Sequence, residues 1–178
     1  MSGLLFEVGV EDLPALAIDQ ACDFMRSFLT DNLKELRLTH GKIEILGTPR
    51  RLVVMIDDLL KKQPDFTEEV LGPNVNVAFD AQGNLSKAGL GFIKSKGLDE
   101  KNIYKKAGDK GEVIAGQRVE VGKTSEAVLP ELLVEMLRKI PFKKRMRWNN
   151  SGETFSRPIV WILAIFDEKV LPMSFAGI

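Results

Sequence analysis

The sequence predicts an α+β fold: a mainly antiparallel sheet built from hairpins, packed with two longer helices and short connecting helices. Two long segments, residues 14–40 and 124–140, repeat apolar side chains at helical spacing. Between and after them lie short β-prone runs joined by tight turn signals, which read as hairpins. Long helices interspersed with hairpins give the α+β class. With 178 residues and 44% hydrophobic residues, the chain suits one domain or two small ones and buries a true core.

The elements follow in order. Leu4–Val10 (LLFEVGV) predicts a buried strand, with Glu7 as its polar exception. Asp12 and Pro14 open a helix, since proline is tolerated in a first turn. Its apolar stripe is Ile18, Ala21, Cys22, Met25, Phe28, Leu29, Leu33 and Leu36, and Gly41 stands just past its end. Cys22 is thereby assigned to the core, and His40 to an exposed helix end. Lys42–Leu46 and Arg51–Ile56 form a hairpin around Gly47-Thr48-Pro49, with an extension toward Leu60 that Lys61–Pro64 breaks. Gly72-Pro73-Asn74 and residues 80–84 are turn clusters, with Val75–Phe79 extended between them. Ser86 caps a short helix over Lys87–Lys96, which Gly97 ends, and a further helical turn is expected near Leu98–Ile103. Tyr104–Val121 reads as a hairpin turning at Gly108-Asp109-Lys110-Gly111. Thr124 or Ser125 caps a helix to about Ile140, with Leu129, Leu132, Leu133, Met136, Leu137 and Ile140 as its buried face. Pro130 marks either a start near Val128 or a defect tolerated in the first turns, and Pro141 stops the helix. Pro158–Phe166 and Lys169–Phe175 are extended runs joined at Asp167-Glu168.

Composition excludes several classes. One Cys and one His rule out a disulfide scaffold, a Cys-based zinc site and any multi-histidine metal site. They also fit a reducing cytoplasm. The first residues carry no signal-peptide pattern, and no apolar run approaches the ~18 residues of a membrane span. The 25 basic and 25 acidic residues cancel, but unevenly. Residues 1–89 hold 14 acids and 9 bases, a net of −5; residues 90–178 hold 11 acids and 16 bases, a net of +5. Between Arg138 and Asn150 stand six bases and no acid: Arg138, Lys139, Lys143, Lys144, Arg145 and Arg147. Such a cluster beside Trp148 suits a phosphate backbone, or is a solvated loop after a helix.

No nucleotide-binding loop is present: Gly89-Leu90-Gly91 has Lys94 where a third glycine is required. Glu7, set in an apolar strand, calls for a partner, and Arg50, Arg51 and Arg157 are the candidates for a structural ion pair. In Thr48-Pro49-Arg50-Arg51-Leu52 the adjacent arginines point to opposite faces, so one is free for solvent or a phosphate. Arg147-Trp148 offers a guanidinium and an indole to a base, unless Trp148 plugs the edge of the core. Trp161, in an apolar run, is assigned to core packing.

Several segments, collinear over the whole chain, resemble one family. They include LLFEVGVEDLP at 4–14, TPRRLVVMIDDL at 48–59, EEVLGPNVNVAFDAQGN at 68–84 and LSKAGLGFIKSKG at 85–97. LPELLVEMLRKIPFKKRMRWNN at 129–150 and FSRPIVWILAIFDEKVLPMSFAGI at 155–178 complete the series. Together they resemble the N-terminal region of the beta subunit of bacterial two-subunit glycyl-tRNA synthetase. The resemblance implies a class II aminoacyl-tRNA synthetase whose alpha subunit binds glycine and ATP with Mg. No catalytic residue, cofactor or metal is then expected in this chain. It further implies that residues 1–178 are an N-terminal α+β region of a longer subunit, with room for two small subdomains dividing near 60–100. The expected partners are the alpha subunit, the remaining beta domains and glycine tRNA, with no membrane. Val160 departs from the family, which often has Arg there. Charge, rather than the family, nominates Arg50, Arg51, Lys143, Lys144, Arg145, Arg147 and Trp148 as tRNA contacts, and Glu7 and Arg157 as structural ion-pair members. The alternatives are a protein–protein interaction module, which needs an exposed apolar patch, or a small editing-type hydrolase using Glu7, Glu11 and Asp12.

Overall fold

The computed structural model describes residues 2–80, 82–108 and 111–178. The chain forms two compact units: one joins the residues up to Pro64 with Lys123–Ile178, and the other is Asp65–Gly122.

In the first unit, strands β1 (Leu4–Val10), β2 (Ile43–Thr48), β3 (Arg51–Ile56), β7 (Ile159–Phe166) and β8 (Lys169–Val170) form one antiparallel sheet. Its order is β2-β3-β1-β7-β8. Alternation decides which face is buried. Leu4, Phe6, Val8 and Val10 of β1 join Leu52, Val54 and Ile56 of β3, and Ala164 and Phe166 of β7, in the core. Helices α1 (Ala15–Glu35) and α4 (Ser125–Lys139) feed the same core through Met25, Leu29 and Leu33, and through Leu129, Leu133 and Leu137. The opposite face carries Leu5, Glu7 and Gly9 in line with Met55, Val53 and Arg51 on one side and Ile165, Leu163 and Trp161 on the other. None of these joins the core cluster.

Gly9 is required on that face. The indole of Trp161 lies across it, so that a Cβ would fall 2.1 Å from Nε1 and 2.2 Å from Cε2. Trp161 is therefore half-exposed on the open face, and the core assignment for it does not hold. Trp148 is the indole that packs against the core cluster.

Other boundaries differ from the sequence reading for local reasons. Helix α1 ends at Glu35, short of Gly41, because Leu38 turns back to bury itself. Its N–H donates to Leu33 O at 2.9 Å while Arg37 takes φ 57, closing a Schellman motif without glycine. Strand β3 stops at Ile56, and Asp58 turns the chain at φ 49. Pro130 sits inside α4, and the first turn is held instead by Ser125, whose N–H donates to Lys61 O at 2.8 Å. The run expected over Lys169–Phe175 pairs only at Lys169–Val170, because Pro172 has no N–H for a ladder.

The second unit has strands β4 (Phe66–Asn74), β5 (Ile103–Gly108) and β6 (Gly111–Glu120) in the order β4-β6-β5, with helices α2 (Val75–Ala78) and α3 (Lys87–Lys96). Strand β4 runs through Gly72-Pro73-Asn74, where a turn was expected, and absorbs the proline with a register shift between Leu71 and Asn74. Val75–Ala78 is one helical turn, not an extended piece. Helix α3 has the expected caps: Ser86 Oγ accepts from Gly89 N–H at 3.2 Å, and Gly97 takes φ 64. The hairpin β5–β6 pairs Gly108 with Gly111; the expected turn residues Asp109 and Lys110 lie outside the described residues.

Gly9→Val should push Trp161 off the sheet. In a Trp148→Phe background we expect red-shifted Trp161 emission and a loss of about 1–3 kcal/mol in chemical denaturation. Unchanged emission with unchanged stability would contradict the close approach.

Candidate nucleic-acid interface

The six bases after α4 do not act alike. Arg138 is ion-paired with Glu153 at 2.8 Å, and Lys139 with Glu135 at 2.6 Å. Arg145 turns inward. Its guanidinium donates to Ile140 O at 2.6 Å, Arg138 O at 3.3 Å, Thr154 O at 2.6 Å and Thr154 Oγ1 at 2.8 Å. It thus satisfies carbonyls at the C-terminal end of α4 and complements that end's negative dipole. Among the described residues, Lys143, Lys144 and Arg147 have no ion-pair or hydrogen-bond partner, and all three are exposed.

The segment that displays them is braced at several points. Phe142 is buried edge-on against Phe155, with centroids 4.8 Å apart at 75°. Met146 and Phe155 exchange backbone hydrogen bonds at 2.8 and 3.1 Å. Trp148 packs against the core, and Asn149 Nδ2 donates to Ala176 O at 2.7 Å. Two apolar pins and one inward guanidinium therefore hold a short segment whose remaining cations face water. An array ordered before binding loses little side-chain and loop entropy on meeting a phosphate backbone.

Arg50 and Arg51 occupy a different setting. Arg50 lies 3.1 Å from Asp12 and 3.8 Å from Glu11. Arg51 lies 3.9 Å from Glu7, and its guanidinium carbon is 5.4 Å from the Trp161 centroid. Three carboxylates thus face two guanidiniums, and phosphate gains little there. The same pairing engages the three carboxylates of the hydrolase reading. Arg157 donates to Ser156 O at 2.9 Å, so the partner that Glu7 meets is Arg51. Together with Val10, Thr48, Val160 and Trp161, residues Glu11, Arg50 and Arg51 line a cleft of about 460 Å³.

At the other end of the same sheet, a groove of about 1150 Å³ runs over Leu5, Met55 and Ile165. Its rim holds the ion pairs Lys61–Asp167 and Lys169–Glu126. The Lys61 hydrogen bond holds the Asp167 carboxyl below its usual range and raises Lys61 in turn. Among the described residues no group of three His, Cys, Asp or Glu side chains gathers to hold a metal, and no helix is long and apolar enough to cross a membrane.

The glycyl-tRNA synthetase beta subunit family matches residues 4–178. A glycine–tRNA ligase beta subunit from Clostridioides difficile is 41% identical over 175 residues, covering 98% of this chain and 25% of that protein. The Bacillus subtilis protein of the same name is 37% identical, covering 98% and 26%. A chloroplastic/mitochondrial glycine–tRNA ligase of Arabidopsis thaliana is 40% identical over 174 residues, covering 98% and 16%. The chain spans about a quarter of the length of the bacterial relatives.

Arg145→Ala should leave the Thr154 carbonyl without its guanidinium donor and the Ile140 carbonyl with the Phe142 N–H alone. We expect a loss of about 1–3 kcal/mol in denaturant unfolding, with Arg145→Lys recovering only part of it because an ammonium lacks the planar fork. Lys144→Glu should stay within about 0.5 kcal/mol of wild type. Equal stability of the Arg145→Ala and Lys144→Glu proteins would show that the loop is not braced this way.

Proposed function

The chain belongs to the glycyl-tRNA synthetase beta subunit family, and from that premise we propose that it is the N-terminal region of such a subunit, working in the cytoplasm to position glycine tRNA. The observation that carries the reading is the trio Lys143, Lys144 and Arg147, uncompensated on a braced loop. Catalysis, with its ATP and magnesium, is assigned to the alpha subunit; this segment contributes binding. Cations that meet phosphates on a rigid support raise the residence of tRNA near the active site without touching the reacting atoms.

Assembly with the alpha subunit, or with further domains of the beta subunit, is the second part of the reading. It rests on the open sheet face, where Leu5, Val53, Met55, Leu163 and Ile165 lie in register outside the core. An apolar sheet face of this kind suits a covering partner.

The test is tRNA binding by the full-length subunit with its alpha partner at several salt concentrations. Lys144→Glu/Arg147→Glu should weaken binding about tenfold or more at low salt and flatten the slope of log K against log salt by about 1.5–2. Turnover at saturating tRNA should stay near wild type. A variant that binds as wild type does, with the same slope, would remove direct contact by this loop.

A further inference from the structure

The cleft beside Trp161 is built differently from the basic loop, and its chemistry points to another part of an RNA. One face of the indole is seated on Gly9, which fixes the ring, and Trp161 remains half-exposed. The β1–β7 ladder shifts register between Gly9 and Val10, which pair with Trp161 and Ile159 and leave Val160 as the extra residue between them. The Arg51 guanidinium lies over the indole, its carbon 5.4 Å from the ring centroid, and Val160, 56% exposed, supplies an apolar neighbour. The guanidiniums are neutralised by Glu7, Glu11 and Asp12, so the cleft does not draw a phosphate. What it offers is an indole with a guanidinium laid over it and exposed carboxylate acceptors, in a volume of about 460 Å³. That volume falls in the range of small-ligand sites.

We propose that this cleft, walled by Trp161, Arg51, Glu11 and Val160, is a subsite for one unpaired nucleobase carrying an exocyclic amine. The base stacks on the Arg51 guanidinium, which the indole supports from beneath. Its amine donates to the Glu11 carboxylate, the kind of contact by which acidic side chains accept from cytosine N4. The inference rests on the RNA-binding reading above but uses other residues and another force. Stacking is insensitive to salt, whereas phosphate contact is not.

The experiment uses the full-length subunit with its alpha partner and three RNA probes: single-stranded oligocytidine, oligouridine and a blunt RNA duplex. Trp161→Phe keeps a π face, while Trp161→Leu keeps apolar cover without one. We expect Trp161→Phe to bind oligocytidine within about twofold of wild type. Trp161→Leu should lose about five- to a hundredfold, with the salt slope unchanged and duplex binding unmoved. Glu11→Ala should narrow the preference for oligocytidine over oligouridine. Equal oligocytidine binding by the Phe and Leu variants overturns the subsite, as does parallel loss on the duplex; an unchanged base preference in Glu11→Ala overturns its amine reading. Should Trp161→Leu fail to fold, quenching of Trp161 emission by free cytidine in a Trp148→Phe protein decides, and its absence overturns the proposal. The charge reversal at Lys144 and Arg147 separates the two ideas. If it leaves tRNA affinity intact while the Phe and Leu variants differ, the loop reading fails and the subsite stands.

Discussion

The central strand β1 is the constraint on which the first unit depends. It pairs on one side with β3, some fifty residues later, and on the other with β7, near the end of the chain. Its period of two divides the protein's chemistry. Leu4, Phe6, Val8 and Val10 go under the helices, and Leu5, Glu7 and Gly9 face outward. A slip of one residue would bury the Glu7 carboxylate and expose Phe6 and Val8, so register is strongly specified. The same alternation explains how an acid is tolerated within an apolar strand. Glu7 stays 18% exposed and meets Arg51 in the neighbouring strand, rather than lying unpaired in the core.

From that frame two arginine-rich stretches acquire opposite roles. Thr48-Pro49-Arg50-Arg51 forms the β2–β3 turn, and its backbone is tied to the β1–α1 junction. Leu13 N–H donates to Pro49 O at 2.7 Å and Val10 N–H to Arg50 O at 3.0 Å. These bonds bring Glu11 and Asp12 against Arg50, so the stretch is neutralised by the chain that precedes α1. The segment after α4 has no such acidic neighbour at Lys143, Lys144 or Arg147 among the described residues. Its one inward guanidinium, Arg145, is used to brace carbonyls.

Local signals were legible in the sequence and long-range ones were not. Helix α3 could be bounded from Ser86 and Gly97 because both caps act within a few residues. Strand β4 could not: most of its side chains are exposed, and only pairing with β6 makes it a strand. The end of α1 depended on Leu38 reaching the core, which put Arg37 in the left-handed region where glycine is usual. The basic cluster was visible as composition. Which of its members are engaged depended on Glu153 and Thr154 folding back onto the end of α4. The two tryptophans exchanged expected places for the same reason. Periodicity placed Trp161 in an apolar run, but the face it points to is set by its pairing with Gly9.

Net charge is therefore a poor guide to where an anionic partner meets this protein. Formal charges sum to zero, and even the −5 and +5 halves average over distances much longer than the screening length of about 8 Å at physiological salt. Within that length, what counts is the balance of partners around each cation. Arg50 and Arg51 lie in the acidic half and are compensated three carboxylates to two guanidiniums; that makes their corner a place for stacking and hydrogen bonding rather than for phosphate. Lys143, Lys144 and Arg147 lie in the basic half and keep their charge facing solvent. A single RNA could engage both, its backbone on the loop and an unpaired base in the cleft, through forces that respond differently to salt. On the proposed function this division would make the two proposed contacts separable in solution even though they share one sheet-and-helix unit.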